Sequence, residues 1–216
     1  MVRGVVVIDP GHGGVTAVGG SSANNAVSFS GVLEKTMTLD LARLMREAIA
    51  ESNSAGQTDI KVVLTRESDA NLGLIERASL ARTSQADRFL SIHFNGFDKN
   101  VRGVETLIRP AANGNVNHKD DKSFAARIQE AVFQTIKGFD PAARNRGVKD
   151  QKLGVLNDAV MGNTATHHPC RACLLEVEFI DVEAVDRLLN TNPTAAEVRR
   201  AIASALAGAL IADLKG

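Results

Sequence analysis

No tryptophan and no tyrosine occur among the 216 residues, and eight phenylalanines are the only aromatic side chains. The amphipathic rings that usually supply a stacking platform for a ligand are therefore missing. Cysteine is also scarce: Cys170 and Cys173 are the only two, too few for a disulfide framework. Their C-x-x-C spacing suits a metal or redox pair. No second pair accompanies it, however, and the flanking residues run from a loop into a strand, so both read as small buried thiols. Net charge is absent as well, 25 basic residues balancing 25 acidic ones. With no basic patch in view, no field draws this surface to nucleic acid or anionic lipid, and no nucleic-acid partner is expected. No apolar run approaches the roughly 20 residues that cross a bilayer, so no membrane insertion is expected. The N-terminus enters a strand directly, without a signal-peptide pattern.

What is present is enough for one full core. A 216-residue chain that is 44% hydrophobic, with no break in composition, reads as a single α/β domain over residues 1–216. β-Branched residues 5–8 form a buried strand that runs into Asp9-Pro10-Gly11-His12-Gly13-Gly14, a tight turn carrying an imidazole. After a polar Gly/Ser/Asn-rich loop, Leu33, Met37, Leu41, Leu44 and Ala48 mark an amphipathic helix with Glu34 in its first turn. Residues 60–65 predict the second strand. A helix over 72–84 follows, turning Leu74, Ala78 and Ala81 inward and Glu76, Arg77 and Arg82 toward solvent or partners. Residues 89–95 predict a third strand that again ends in a histidine, His93, and 103–109 a fourth.

Residues 110–121 read as a loop, and Phe124, Ile128, Val132 and Ile136 as the core face of another helix. Short extended pieces are expected at 146–149 and 153–156, and a polar loop at 157–169. The last strand, 172–179, places Glu176 and Glu178 on one face. A short helical piece at 182–189 precedes a final helix, opened by a Thr194-x-x-Glu197 capping box, with Val198, Ile202, Leu206 and Leu210 on one side. This alternation predicts an open, twisted, mainly parallel sheet of about six strands with helices on both faces.

In such a sheet ligands bind outside the carboxyl ends of the strands. His12, His93 and Glu176 fall there, and Glu34 opens the helix that begins at the same edge. Two imidazoles and a carboxylate form the three-ligand set of a catalytic zinc, with the fourth position left to water. Such a metal lowers a water's pKa from ~16 toward ~7, and the remaining glutamate can take its proton during attack on a carbonyl. Spacing alone does not say which glutamate is ligand and which is base.

The ordered set Asp-Pro-Gly-His-Gly-Gly, Glu34, Val-Leu-Thr-Arg (63–66), Glu76-Arg77, Ala86-Asp87, Ser91-Ile92-His93-Phe94-Asn95 and Leu174-Leu175-Glu176 closely resembles the zinc-dependent N-acetylmuramoyl-L-alanine amidases of the Amidase_3 family. The resemblance runs from Val5 to the final helix. It implies that His12, Glu34 and His93 bind Zn2+ and that Glu176 is the catalytic acid/base. The implied substrate is peptidoglycan, cut between the lactyl group of N-acetylmuramic acid and L-alanine. The implied location is the periplasm or cell wall, and a monomer is expected. A zinc peptidase acting on another amide and a non-catalytic peptidoglycan-binding module are the alternatives.

The sequence departs from the family's pattern at Glu178, where relatives have a small residue; there it crowds or recharges the site or pairs with an arginine. Residues 157–171 form a longer connection than usual. His167 and His168 within it read as exposed loop residues in preference to substrate contacts or alternative ligands. The short 110–122 loop implies an open site.

Overall fold

The protein is described by a computed structural model covering residues 1–216. Six strands form one sheet: β1 (Val2–Pro10), β2 (Thr58–Leu64), β3 (Arg88–Asn95), β4 (Val104–Ile108), β5 (Asn145–Asp150) and β6 (Arg171–Phe179), in the order β2-β1-β3-β6-β4-β5. β2, β1, β3 and β6 run parallel. β4 is antiparallel to β6 and β5 is parallel to β4, so the last two strands point the other way. The central strands are apolar on both faces. Val6, Val7 and Ile8 are wholly buried, as are Phe89, Leu90 and Ile92, as expected when helices cover both sides.

The helices are α1 (Glu34–Ser54), α2 (Leu74–Thr83), α3 (His118–Phe139), α4 (Asp158–Met161), α5 (Glu183–Asp186), which continues as a π turn over Arg187–Thr191, and α6 (Ala195–Leu214). α6 packs between α1 and α3 on one face, and α2 packs with α4 on the other. The two faces are unequal: the α1/α3/α6 side buries a cluster of 35 residues and the α2/α4 side one of 12. Most of the hydrophobic driving force therefore lies under α6, where Val198, Ile202, Leu206 and Leu210 are buried. No helix is long and apolar enough to cross a membrane.

Several local expectations are corrected. Residues 153–156 form no strand; they turn, and Val155 and Leu156 pack into the smaller cluster. The 110–121 segment is not all loop, because a 3-10 turn occupies Ala111–Asn113 and α3 begins at His118. The 157–169 segment contains α4, capped by the Asn157 side chain, and a 3-10 turn at Asn163–Ala165. The capping box at α6 does not form, since Thr194 is already helical and its side chain makes no cap bond. Arg77 does not face solvent; it is buried. Both cysteines are free and buried, and burial pushes their thiols up.

Candidate metal centre and active site

β1 delivers His12 through a backbone that only special contacts sustain. His12 adopts φ +61°, followed by Gly13 at +136° and Gly14 at +61°. A non-glycine residue in this left-handed region costs about 1–2 kcal/mol, and two buried arginines hold the strained chain from beneath. Arg66 donates from Nε to the Pro10 carbonyl (2.9 Å) and from Nη2 to the Gly11 carbonyl (2.9 Å). Arg77 donates from Nη1 to the Pro10 carbonyl (2.8 Å) and from Nη2 to the His12 carbonyl (2.7 Å). Thr38 Oγ1 adds a bond to the Gly11 carbonyl at 2.9 Å.

Arg77 is paired at 2.8 Å with Asp9, which also accepts from Thr65 and Ser91. Burial by itself raises the Asp9 carboxyl, but Arg77 and these bonds outweigh it and hold Asp9 lowered. For Arg66, burial and the Arg77 charge bring the guanidinium down to about 10. Gly11 is required for a different reason: a Cβ there would lie 2.3 Å from Cε1 of the His93 ring, so its bare backbone is what lets the two strand ends close on each other.

Three side-chain atoms converge above this turn. His12 Nε2 lies 3.2 Å from Glu34 Oε1, His93 Nδ1 lies 3.1 Å from the same oxygen, and the two ring nitrogens are 3.1 Å apart. Each group is oriented by others. His12 Nδ1 sits 3.0 Å from the Ser22 carbonyl and 2.9 Å from its hydroxyl, so the proton belongs on Nδ1 and the Nε2 lone pair faces the centre. Glu34 Oε2 accepts from Ala26 N at 2.9 Å and Oε1 from Phe94 N at 3.1 Å. Burial opposes ionisation of Glu34, yet the two imidazoles outweigh it and hold the carboxyl far below the usual range.

Three lone-pair atoms at the corners of a triangle with edges of 3.1–3.2 Å fit a divalent cation. A regular tetrahedron with bonds of about 2.0–2.1 Å puts its ligand atoms about 3.3–3.4 Å apart. They form the one group of histidine, cysteine and carboxylate side chains in the chain close enough to share an ion.

Glu176 pairs in register with His93 across β6 and β3. It stands outside the triangle, beside it. Its Oε2 is buried without a hydrogen-bond partner, and burial, with the nearby charges of Glu34 and Glu105, pushes the carboxyl well above the ordinary range. Together with Glu34 and His93 it lines a cavity of about 560 Å³ that Asn25, Asn95, Phe97 and Asp181 also wall, within the size range of small-molecule sites. None of residues 110–122 lines it.

The other singled-out residues lie elsewhere. Glu178 does not crowd the site. Two steps along β3, His93 to Asn95, match three along β6, Glu176 to Phe179; beyond this irregularity Glu178 is fully buried, accepting from Gly103 N (2.7 Å) and Phe179 N (2.9 Å), with Arg102 at 3.6 Å. His167 and His168 are exposed. His168 lines a separate cavity with Asp87 and Cys170, at the edge where β3 and β6 begin, opposite the His93 end. Arg66 and Arg77 stand in the Val-Leu-Thr-Arg and Glu-Arg motifs, but their support of the His12 turn, and the part of Ser22, were not read from the sequence. Asp9, a carboxylate ending an apolar strand, was the available signal for Arg77, since a buried charge needs a partner.

With this geometry in place, likeness to known proteins is informative. The family model for N-acetylmuramoyl-L-alanine amidase, Amidase_3, matches residues 6–208. The sporulation-specific N-acetylmuramoyl-L-alanine amidase of Bacillus subtilis (strain 168) is 28% identical over 201 residues, covering 93% of this chain and 66% of that protein. Among solved structures, an N-acetylmuramoyl-L-alanine amidase from Clostridium difficile 630 superposes with a TM-score of 0.74 at 25% identity, covering 100% of this chain and 99% of the other. The catalytic domain of CwlV from Bacillus (Paenibacillus) polymyxa var. colistinus gives 0.73 at 25% identity, covering 98% of both. Curated relatives run longer: the chain spans 32% of one from Bacillus anthracis and 54% of the endolysin of Bacillus phage SPP1. With residues 6–208 matched and the fold shared end to end with two of its solved structures, the chain belongs to the N-acetylmuramoyl-L-alanine amidase family Amidase_3.

Proposed function

We propose that the protein is a zinc-dependent hydrolase that cleaves the amide between the lactyl group of N-acetylmuramic acid and the L-alanine of the peptidoglycan stem, acting outside the cytoplasm. The observation that carries this reading is the His12–Glu34–His93 triangle with the unpartnered Glu176 carboxyl one strand away in register, in one cavity. His12 Nε2, Glu34 Oε1 and His93 Nδ1 would hold the ion. Zinc, when bound, supplies a Lewis acid that polarises the lactyl carbonyl and lowers the pKa of water.

The chain's own groups do the rest. Ser22 keeps the His12 proton on Nδ1. Arg66 and Arg77 hold the carbonyls behind His12, so the imidazole stays aimed without being reorganised during reaction. Glu176 takes a proton from the attacking water as the water oxygen bonds to the lactyl carbon. It then gives that proton to the alanine nitrogen as the C–N bond breaks, leaving a stem peptide with a free amino terminus and a lactyl carboxylic acid, which passes its remaining proton to that amine and becomes the carboxylate. The first step needs Glu176 as the carboxylate, which a cation held by the neighbouring triangle would favour, whereas its burial favours keeping the proton until the C–N bond breaks.

Mass spectrometry of digested peptidoglycan tests the proposal. Stem peptides beginning with a free L-alanine amine are expected. Shortened stems would identify a peptidase, and undigested wall a binding module.

A further inference from the structure

The amidase reading leaves open how the acidic stem peptide is received, and the β4–β5 edge carries the charges to do so. β4 pairs antiparallel with β6 so that Glu105 stands directly opposite Glu176. Along β5, Val104 pairs with Asn145 and Glu105 with Gly147; Arg146 is thus the extra residue of a bulge, followed by Gly147 at φ +76°. Bulges re-aim side chains, often beside active sites. Here Arg146 Nε donates to Glu105 Oε2 at 2.6 Å, and Lys149 Nζ donates to the same oxygen at 2.5 Å. The other Glu105 oxygen accepts from Asn95 Nδ2 at 3.2 Å. One buried carboxylate therefore holds two cations, a surplus of one positive charge next to Glu176.

The Arg146 guanidinium is poised for a second partner. It pairs through Nε alone, leaving its two terminal nitrogens free, and its Cζ lies 5.1 Å from the Phe179 ring centroid, which supports the guanidinium from one side. Its side chain is 33% exposed and that of Lys149 44%. A planar fork with two unpaired N–H groups is the geometry that binds a carboxylate bidentately. The cavity itself has the reverse character: Glu34, Glu176 and Asp181 line it and no lysine or arginine does, so the two cations stand outside it, on the β4–β5 side of Glu176.

Reach agrees with charge. Neighbouring strands lie about 4.8 Å apart, so β5, two strands from β6, is on the order of 10 Å from Glu176. Two residues of extended peptide, L-alanine and the one after it, span about 7 Å, and the Arg146 and Lys149 side chains, which reach back to Glu105 on β4, cover the remainder.

We propose that Arg146 and Lys149, anchored by Glu105, form the subsite for a carboxylate of the leaving stem peptide, so that the stem leaves the cavity over β4 toward β5. This rests on the amidase reading.

The test uses the full chain loaded with zinc and two synthetic N-acetylmuramoyl-L-alanyl dipeptides that differ only in whether the second stem residue carries a free α-carboxylate or its carboxamide. The wild-type protein is expected to favour the carboxylate, a preference that shrinks as salt screens the pair. Arg146→Gln should lower kcat/KM on the carboxylate substrate about tenfold, through KM, as loss of a charge-assisted hydrogen bond predicts, with the carboxamide substrate unaffected. Arg146→Lys, which keeps the charge and loses the fork, should fall between. Equal losses on both substrates would reduce Arg146 to a structural role and overturn the subsite, as would no loss on either. Cleavage of neither substrate by the wild-type protein would instead remove the amidase reading on which the subsite depends.

Discussion

His93 and Glu176 face each other in register on adjacent strands, yet the protein treats them in opposite ways. His93 is locked. Its ring rests on the bare backbone of Gly11, and its Nδ1 meets both His12 and Glu34 at 3.1 Å. Glu176 is left loose, with a buried oxygen that no donor satisfies. The protonation states divide the same way, Glu34 beside His93 being held ionised and Glu176 being pushed toward its neutral form. The groups of the triangle are over-determined by contacts, whereas Glu176, which the proposed mechanism requires to gain and lose a proton, has no hydrogen-bond partner at its buried oxygen.

Removing a locked group should cost the most. His93→Ala is expected to bind no zinc and to show no detectable hydrolysis, read by metal analysis beside an amide-cleavage assay; stoichiometric zinc in this variant would break the comparison. Next comes the support beneath the lock. Arg77→Met strands Asp9 as a buried, unpaired carboxylate, and urea unfolding should register a loss of about 3–5 kcal/mol.

On the loose side the expected effect is smaller and opposite in sign. The folded-state pKa of Glu176 lies above its ordinary value of 4.5. The stability it contributes is therefore present below about pH 4.5 and lost as pH rises through the raised value. Metal-free Glu176→Gln has no such loss. It should unfold at higher urea than metal-free wild type at neutral pH, the gap closing toward pH 4; a gap that widened at low pH would reverse the assignment. The smallest effect is expected at Ser22→Ala. The variant removes the hydroxyl 2.9 Å from His12 Nδ1 but keeps the carbonyl at 3.0 Å, so zinc affinity measured by competition should fall by less than the roughly 10-fold lower bound for losing a ligand's orienting partner.

The parts of this arrangement that follow from parallel-sheet geometry were legible in the sequence. An apolar strand ending in Asp-Pro-Gly-His and another ending in His-Phe-Asn must bring their last residues to one edge, and Glu34 sits at the helix start that shares it. Resemblance, and not spacing, separated Glu34 from Glu176, and the structure places Glu34 inside the triangle and Glu176 beside it. Arg77 escaped because helical periodicity assigns a charged residue to the outer face, whereas here the unsatisfied carbonyls of the His12 turn and the Asp9 carboxylate draw it inward.

Of the readings of Glu178, pairing with an arginine holds, with Arg102 at 3.6 Å, while crowding of the site fails because strict alternation along a strand breaks at an irregularity and Gly103 N donates to its carboxylate. The reversal of β4 and β5 was invisible because strand direction depends on how the chain crosses the sheet, which the residue types of 103–109 do not encode. That reversal is what sets Glu105, with Arg146 and Lys149, opposite Glu176.

In the proposed mechanism Glu176 moves the proton without holding the metal. The most direct measurement is therefore the single-turnover rate of zinc-loaded Glu176→Gln on a defined muramoyl-L-alanine amide, with bound zinc quantified in the same sample. A full complement of zinc with a rate reduced by about 10²–10⁴-fold, the usual contribution of a general acid/base, is predicted. A rate within a few-fold of wild type, or a loss of zinc matching the loss of rate, would contradict it.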